Sequence, residues 1–532
     1  MFAPVLVDDF LKLSAKLYPE KEALICAEQR WTYQAIDKAC RRLARALRLI
    51  GLGPGERVAI FLDNSAESVI SLFSAMRAGG AFIVVNSSVK PRKLEVILRD
   101  SAASILVADA ARAAVVAEAA KGIEKLKTIW VGDTSEVPAS FGGRSFLWAE
   151  IFQKSDWAPV ASHVNAQGER AIDFDLAALI YTSGSTGEPK GVMSSHFNIV
   201  SAARSIIEYL QNTAGDKILN VLPLSFDYGL YQVLMAFMFS GTVFVQKSFA
   251  FPVKILECIK QERITGFPIV PTIASLLLKM ANPSKYDLSS VRYVTNTGGV
   301  LPPAHIRGLQ KIFPCAKVYS MYGLTECKRV SYLPPEQLDL RPDSVGKPMP
   351  NCRAFIVDEK GKEVGPDQIG ELVIKGANVM QGYWNSPELT QKTFRPGRVP
   401  GEVLLYSGDL FRKDRDGFLY FLARKDEQIK TKGERVSPKE IENIVCELEA
   451  VSEAAVIGVP DEILGQAIKC FVVCRPGSKV GHREIINHCS KNMEPFMVPR
   501  YVEFLEKMPW NAHGKIDRSL LRTLEADGPV NG

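Results

Sequence analysis

Apolar positions along the first part of the chain recur in two alternating rhythms. Over WTYQAIDKACRRLARALRLIGL they fall three and four residues apart and stop at Gly51 and Gly53, the pattern of an amphipathic helix closed by glycine. ERVAIFLD then predicts a buried strand, AESVISLFSAMRAGG a helix ending in glycines, and AFIVVN another strand, while ASILVADA and TIWVGD repeat the strand signal. The same rhythm resumes with DLAALIYTSGSTG, KILNVLPLSFD, GTVFVQ, GFPIVPTIASLLLKM and SSVRYVTNTGG. Repeated strand-helix-strand units imply parallel sheets covered by helices on both faces. From about Ser344 to Phe421 the pattern shifts to short alternating strands, CRAFIVDE, GELVIKG and GFLYFLAR, separated by Gly- and Asp-rich turns, which predicts a small antiparallel barrel or sheet. After Arg424 a charged stretch, KDEQIKTKGER, leads into a helix, SPKEIENIVCELEA, opening at Ser437 with Pro438 in its first turn, and then into the strands EAAVIGVP and IKCFVVCRP.

The expected fold is therefore α/β: a large N-terminal domain, residues 1–424, of two parallel-sheet subdomains plus a small β-barrel region, then a small α+β domain over 425–525 and a tail at 526–532. A chain of 532 residues exceeds what one core organises, which supports the division. With 47% hydrophobic and 23% charged residues the chain reads as an ordinary globular protein, neither disordered nor membrane-embedded. Lys plus Arg exceed Asp plus Glu by only 65 to 59 with no basic block, so nucleic acid is a poor candidate partner. The ten cysteines show no CxxC pair and no Cys/His metal spacing, which fits reduced thiols in a cytoplasmic protein. Cys470 and Cys474, in IKCFVVC, fit strand positions better than ligands. The N-terminus carries Asp8 and Asp9 early, with no basic leader and no apolar run of spanning length, so neither export nor a membrane span is expected.

The most informative string is YTSGSTGEPKG, residues 181–191, directly after the apolar LAALI. Its glycines let backbone approach phosphate oxygens, while its hydroxyls and Lys190 donate to them. It is not a Walker A loop: counted from Gly184, Pro189 stands where the second glycine belongs and Gly191 where the metal-binding Ser or Thr belongs. GSTG alone would fit a flexible surface turn; the full string after a buried strand points to a phosphate cradle.

This string resembles the phosphate loop of the superfamily of acyl-CoA synthetases, nonribosomal adenylation domains and firefly luciferases. The likeness extends over nearly the whole chain, because NTGG at 296–299, YGLTE at 322–326, YSGDL at 406–410, RKDEQIKTKGERVSPKEIE at 424–442 and NAHGKIDR at 511–518 follow in order. The resemblance implies ATP and Mg²⁺ as cofactors and a carboxylic or amino acid as substrate. It further implies a thiol acceptor, CoA or an acyl or peptidyl carrier protein. It assigns phosphate contacts to Thr182, Ser183, Gly184, Ser185, Thr186, Gly187 and Lys190, and the metal to Glu326 with Thr186. Gly298, Gly299, Tyr322 and Gly323 would line the adenine, Thr325 would reach the α-phosphate, and Asp409 and Arg424 would hold the ribose. These roles suit the residues: a flat phenol face for stacking, a hard carboxylate oxygen for Mg²⁺, and an acceptor-only carboxylate for two hydroxyls. Lys515 resembles the family's catalytic lysine, a cation for a transition state in which anions converge. Asp426 falls at the family's hinge and Gly433 beside its thiol channel, so the C-terminal domain is expected to be mobile. Two positions depart from the family: Ser320 replaces the usual Asn or Gln two residues before the stacking tyrosine, and Ala423 replaces the glycine before Arg424.

The acid-binding motif matches PLSFDYGLYQ, residues 223–232. Phe226 and Asp227 resemble the Phe-Asp of amino-acid-activating members, in which Asp pairs with the substrate ammonium, and Thr297 would line the same site. Tyr228 and Gly229 depart from that pattern, and Asp227 equally fits a helix N-cap. The expected activity is that of an AMP-forming acid-thiol ligase, with an amino-acid adenylating ligase that loads a free-standing carrier protein as the alternative.

Overall fold

A computed structural model describes residues 3–135, 145–153, 171–183, 189–280, 282–299, 301–425, 429–431, 434–461, 464–493, 495–511 and 515–526. Two predominantly parallel sheets lie side by side. In the seven-stranded sheet the order runs Ser145–Leu147, Lys127–Val131, Ile105–Asp109, Arg57–Phe61, Ala81–Val84, Leu176–Ser183 and Pro189–Ser195, all parallel except for the closing hairpin. In the nine-stranded sheet six parallel strands are flanked by short antiparallel edges.

Three helices between the sheets carry the shared core. Ala66–Arg77 buries every residue from Ser68 to Met76, serines included, and Ser74 Oγ repays its burial by donating to the Ile70 carbonyl at 2.6 Å. A helix apolar on all sides must be sandwiched, and this one is: Phe73 stacks on Phe237 of the helix Asp227–Met238 at 5.0 Å. The helix Tyr33–Leu49 starts two residues later than its pattern predicts. Trp31 and Thr32 close the strand Gln29–Thr32, and Thr32 caps the helix by accepting from the Ala35 amide. Glu22–Cys26, which the sequence reading passed over, pairs in parallel with Thr242–Val245.

The region from Cys352 to Arg424 forms a small five-stranded antiparallel unit in which Val403–Lys413 pairs with three other strands. Beyond it, Val451–Asp461 and Gly465–Cys474 pair along their whole length within a separate five-stranded sheet with helices packed against it. Cys470 is a buried strand residue there. Ser437 caps the following helix by accepting from the Glu440 amide, as its position before Pro438 predicts. Among the described residues no helix is long and apolar enough to cross a membrane.

The return strand Pro189–Ser195 leads directly into the helix His196–Leu210, whose first residue anchors the chain's N-terminal segment: His196 Nδ1 accepts from the Val7 amide at 3.1 Å. Burial pulls this imidazole down to about 4, against the pull of Asp175, Asp8 and Asp9. Between pH 4 and 6.5 the unfolded chain therefore binds a proton that the folded one does not. The resulting stability is present in full above this window and is lost as pH falls through it, by up to about 3 kcal/mol. Thermal midpoints of wild type and His196→Gln across that range should diverge in slope, the variant being flatter; parallel curves would show that His196 does not titrate in this way.

Candidate functional site

Thr182 and Lys190 face each other across the hairpin of Leu176–Ser183 and Pro189–Ser195. Gly184, Ser185, Thr186 and Gly187, at its tip, lie outside the described residues, as does the side chain of Ser183. The hairpin's base is held firmly: the Tyr181 hydroxyl donates to Asp100 at 2.6 Å, and a Cβ on Gly191 would meet the Tyr181 ring at 3.1 Å.

A chain of backbone bonds carries this hairpin to Glu326. Met193 and Gly191 bond the segment 381–384 through Gln381, Gly382 and Trp384, and Met380 donates to the Glu326 carbonyl at 2.9 Å. Tyr383 completes the link by donating its hydroxyl to Glu326 Oε1 at 2.7 Å. Glu326 sits on a tight turn after the strand Lys317–Tyr322, with half-buried Thr325 beside it. The turn folds back so closely that a Cβ on Gly323 would come within 2.1 Å of the Lys328 carbonyl. Asn378 fastens it from below, donating to the carbonyls of Cys327 at 2.8 Å and Arg329 at 2.9 Å.

Tyr322, at the start of this turn, donates to Asp409 Oδ2 at 2.5 Å, while Arg424 Nε lies 3.3 Å from Asp409 Oδ1. Asp409 and Arg424 are direct cross-strand partners, which explains how residues fifteen apart come together. Burial, reinforced by Asp409, pushes the Tyr322 phenol well above its ordinary range, so it remains a donor. Tyr322 packs edge-on against Phe411, at 4.9 Å between ring centres. Ser320 is buried next to Asn296 in parallel register, and Ala423 points inward opposite Leu410.

NTGG ends the strand Tyr293–Asn296. Asn296 donates to the Gly299 carbonyl at 2.8 Å, Thr297 is buried, and Gly298 takes φ +84°. A Cβ on Gly298 would rest 3.7 Å from the Phe226 ring, so the NTGG and PLSFDYGLYQ segments adjoin. Asp227 is the first residue of its helix and not its N-cap: Phe226 holds that place, without a side-chain cap. The cap reading is therefore corrected, because the carboxylate faces an ion: Lys328 Nζ lies 3.7 Å from Asp227 Oδ2. Burial lowers the Lys328 ammonium from its ordinary range, against Asp227 and Glu326, which raise it. Sequence reasoning missed Lys328, Arg329, Asn378 and Tyr383. The visible signal was the pair of adjacent cations, Lys328 and Arg329, directly after YGLTE.

Lys515 is exposed, and its backbone exchanges hydrogen bonds with Asn511 within its own hairpin. Among the described residues no hydrogen bond or ion pair joins it to the cluster around Glu326. Asp426 and Gly433 lie outside the described residues.

Residues 11–384 match the family model of the AMP-binding enzyme and residues 440–515 that of the AMP-binding enzyme C-terminal domain. The chain belongs to the AMP-binding enzymes. It is similar to the long-chain-fatty-acid–CoA ligase of Bacillus subtilis, with 29% identity covering 97% of this chain and 93% of the ligase. It is also similar to tyrocidine synthase 3 of Brevibacillus parabrevis, at 31% identity over 94% of this chain but only 7% of that much longer protein. Among solved structures, ATP-bound MatB from Rhodopseudomonas palustris superimposes with a TM-score of 0.83 at 28% identity, covering 97% of this chain and 99% of MatB. Its homologues are thus adenylate-forming ligases, and the shared architecture is a large N-terminal domain with a small C-terminal one.

Proposed function

We propose that this chain joins a carboxylic acid to AMP and passes the acyl group to a thiol of CoA or of a carrier protein. The observation that carries this reading is the convergence of the phosphate hairpin, Glu326 and the Tyr322–Asp409–Arg424 surface around one turn. Thr182, Ser183, Gly184, Ser185, Thr186, Gly187 and Lys190 would hold the phosphates, with Thr325 at the α-phosphate. Gly298, Gly299, Tyr322 and Gly323 would form the adenine surface, and Asp409 and Arg424 would take the ribose hydroxyls. A Mg²⁺ ion fits Glu326, since this metal is commonly held by one or two carboxylates plus phosphates and its own waters. Glu326 and Thr186 would hold the metal, which would neutralise phosphate charge when bound.

In the first half-reaction a carboxylate oxygen bonds to the α-phosphorus and pyrophosphate leaves. In the second a thiol sulfur bonds to the acyl carbon and AMP leaves. Phe226, Asp227 and Thr297 would line the acid. Acid-dependent exchange of labelled pyrophosphate into ATP tests the first step, and acyl-thioester formation tests the second. Absence of exchange across a broad acid panel would refute the reading. Amino-acid activation with loading of a carrier protein is the second reading, supported by the Phe226-Asp227 pair and the likeness to tyrocidine synthase 3.

We place the boundary between a 1–424 unit and a 425–525 unit at the charged stretch, with Asp426 as its hinge and Gly433 beside the thiol path. Asp426→Pro should fix φ at the pivot and trap one arrangement, so that one half-reaction survives while the other fails. Equal loss of both in a folded variant would remove Asp426 from that role.

A further inference from the structure

The turn that carries Glu326 continues into two adjacent cations, Lys328 and Arg329, which are 6% and 5% exposed. Lys328 takes φ +65°, a left-handed conformation that costs a long side chain energy and calls for compensation. It lies over the Tyr231 ring at 5.0 Å, with Asp227 at 3.7 Å, beyond hydrogen-bonding distance. Arg329 lies over the Tyr228 ring at 5.2 Å. Among the described residues Lys328 Nζ, Arg329 Nε, Arg329 Nη1 and the Tyr231 hydroxyl have no hydrogen-bond partner. The Tyr228 hydroxyl is occupied by Thr295 at 2.6 Å.

Buried donors are almost always satisfied, and a buried cation without a counter-charge is costly. Here two cations face one carboxylate, since Glu326 is turned to Tyr383 and, in the reading above, to the metal. All the unsatisfied atoms can donate, and they are set against one face of the helix Asp227–Met238, in the acid-binding motif. What they lack is an anion, and an ammonium brought to the same place would meet a carboxylate already facing Lys328 and an excess of positive charge.

We propose that Lys328, Arg329 and Tyr231 form a subsite for a second carboxylate of the substrate, so that the acid activated is a dicarboxylic acid. Resting on the adenylation reading, this inference makes Asp227 the internal counter-ion of Lys328 and excludes it as an ammonium binder. Arg329 sets specificity through its fork of N–H groups, which suits a carboxylate.

The test compares α,ω-dicarboxylic acids of graded length with monocarboxylic acids and α-amino acids of matched length, in pyrophosphate exchange by the full chain and by Arg329→Met and Arg329→Lys. Wild type should prefer the best dicarboxylate by about 100-fold or more, because buried donors left unpaired penalise the analogue that lacks the group. Arg329→Met should abolish that preference through KM, with monocarboxylate exchange rising, and Arg329→Lys should restore part of it. A wild-type preference for monocarboxylates or amino acids, or equal loss with both acid classes in Arg329→Met, would overturn the subsite. Should no acid drive exchange, the adenylation reading fails, and thermal shift decides the subsite separately. A dicarboxylate such as succinate or glutarate should then raise the midpoint of wild type but not of Arg329→Met, and no shift in wild type overturns the proposal.

Discussion

Lys515→Ala is expected to cut acid-dependent acyl-AMP formation by about 100- to 1000-fold, the usual cost of removing one preorganised group that stabilises transition-state charge. Thiol transfer from preformed acyl-AMP should stay close to wild type. The asymmetry follows from the proposed reading: Lys515 is exposed and bonded to Asn511 in the C-terminal unit, and would act only in an arrangement that brings it to the phosphates. Single-turnover assays of each half-reaction measure the two effects independently. Equal losses in both would show that Lys515 serves the fold or a step common to them.

Gly323→Ala should be comparably damaging for a different reason. The added Cβ would stand 2.1 Å from the Lys328 carbonyl and 3.0 Å from the Arg329 Cα, both backbone atoms pinned by Asn378 and by the strand that follows. The turn has to open, which displaces Glu326, Lys328 and Arg329 together. Misplacement by about an ångström costs on the order of 100-fold in rate, while overpacking of this kind costs about 1 to 3 kcal/mol of stability. Pyrophosphate exchange should therefore fall far more than the thermal midpoint. A variant with full activity would mean that the turn relaxes freely and does not position these groups.

Local pattern was enough wherever one segment carried its own signal. The glycine-stopped helix, the buried strands and the Ser437 cap all follow from spacing and side-chain chemistry within about twenty residues. YTSGSTGEPKG stands out for the same reason, since its glycines, hydroxyls and lysine are consecutive along the chain. The strand Glu22–Cys26 was passed over because its partner, Thr242–Val245, is remote in the chain, and pairing there is decided by the assembled sheet. Asp227 failed as a cap for a related reason: the helix begins one residue earlier in register, with Phe226 at the cap.

Sequence alone determined the alternation that makes two parallel sheets, the order of motifs along the chain and the kinds of groups available for phosphate, ribose and metal. Each of these depends on neighbours a few bonds away. Tertiary structure alone decided which charge meets which. Lys328 and Arg329 look like surface cations in CKRV, yet the fold buries them against Asp227, Tyr228 and Tyr231 from a helix a hundred residues earlier. Electrostatic pairing depends on distance and burial in space, and neither can be read from separation along the chain.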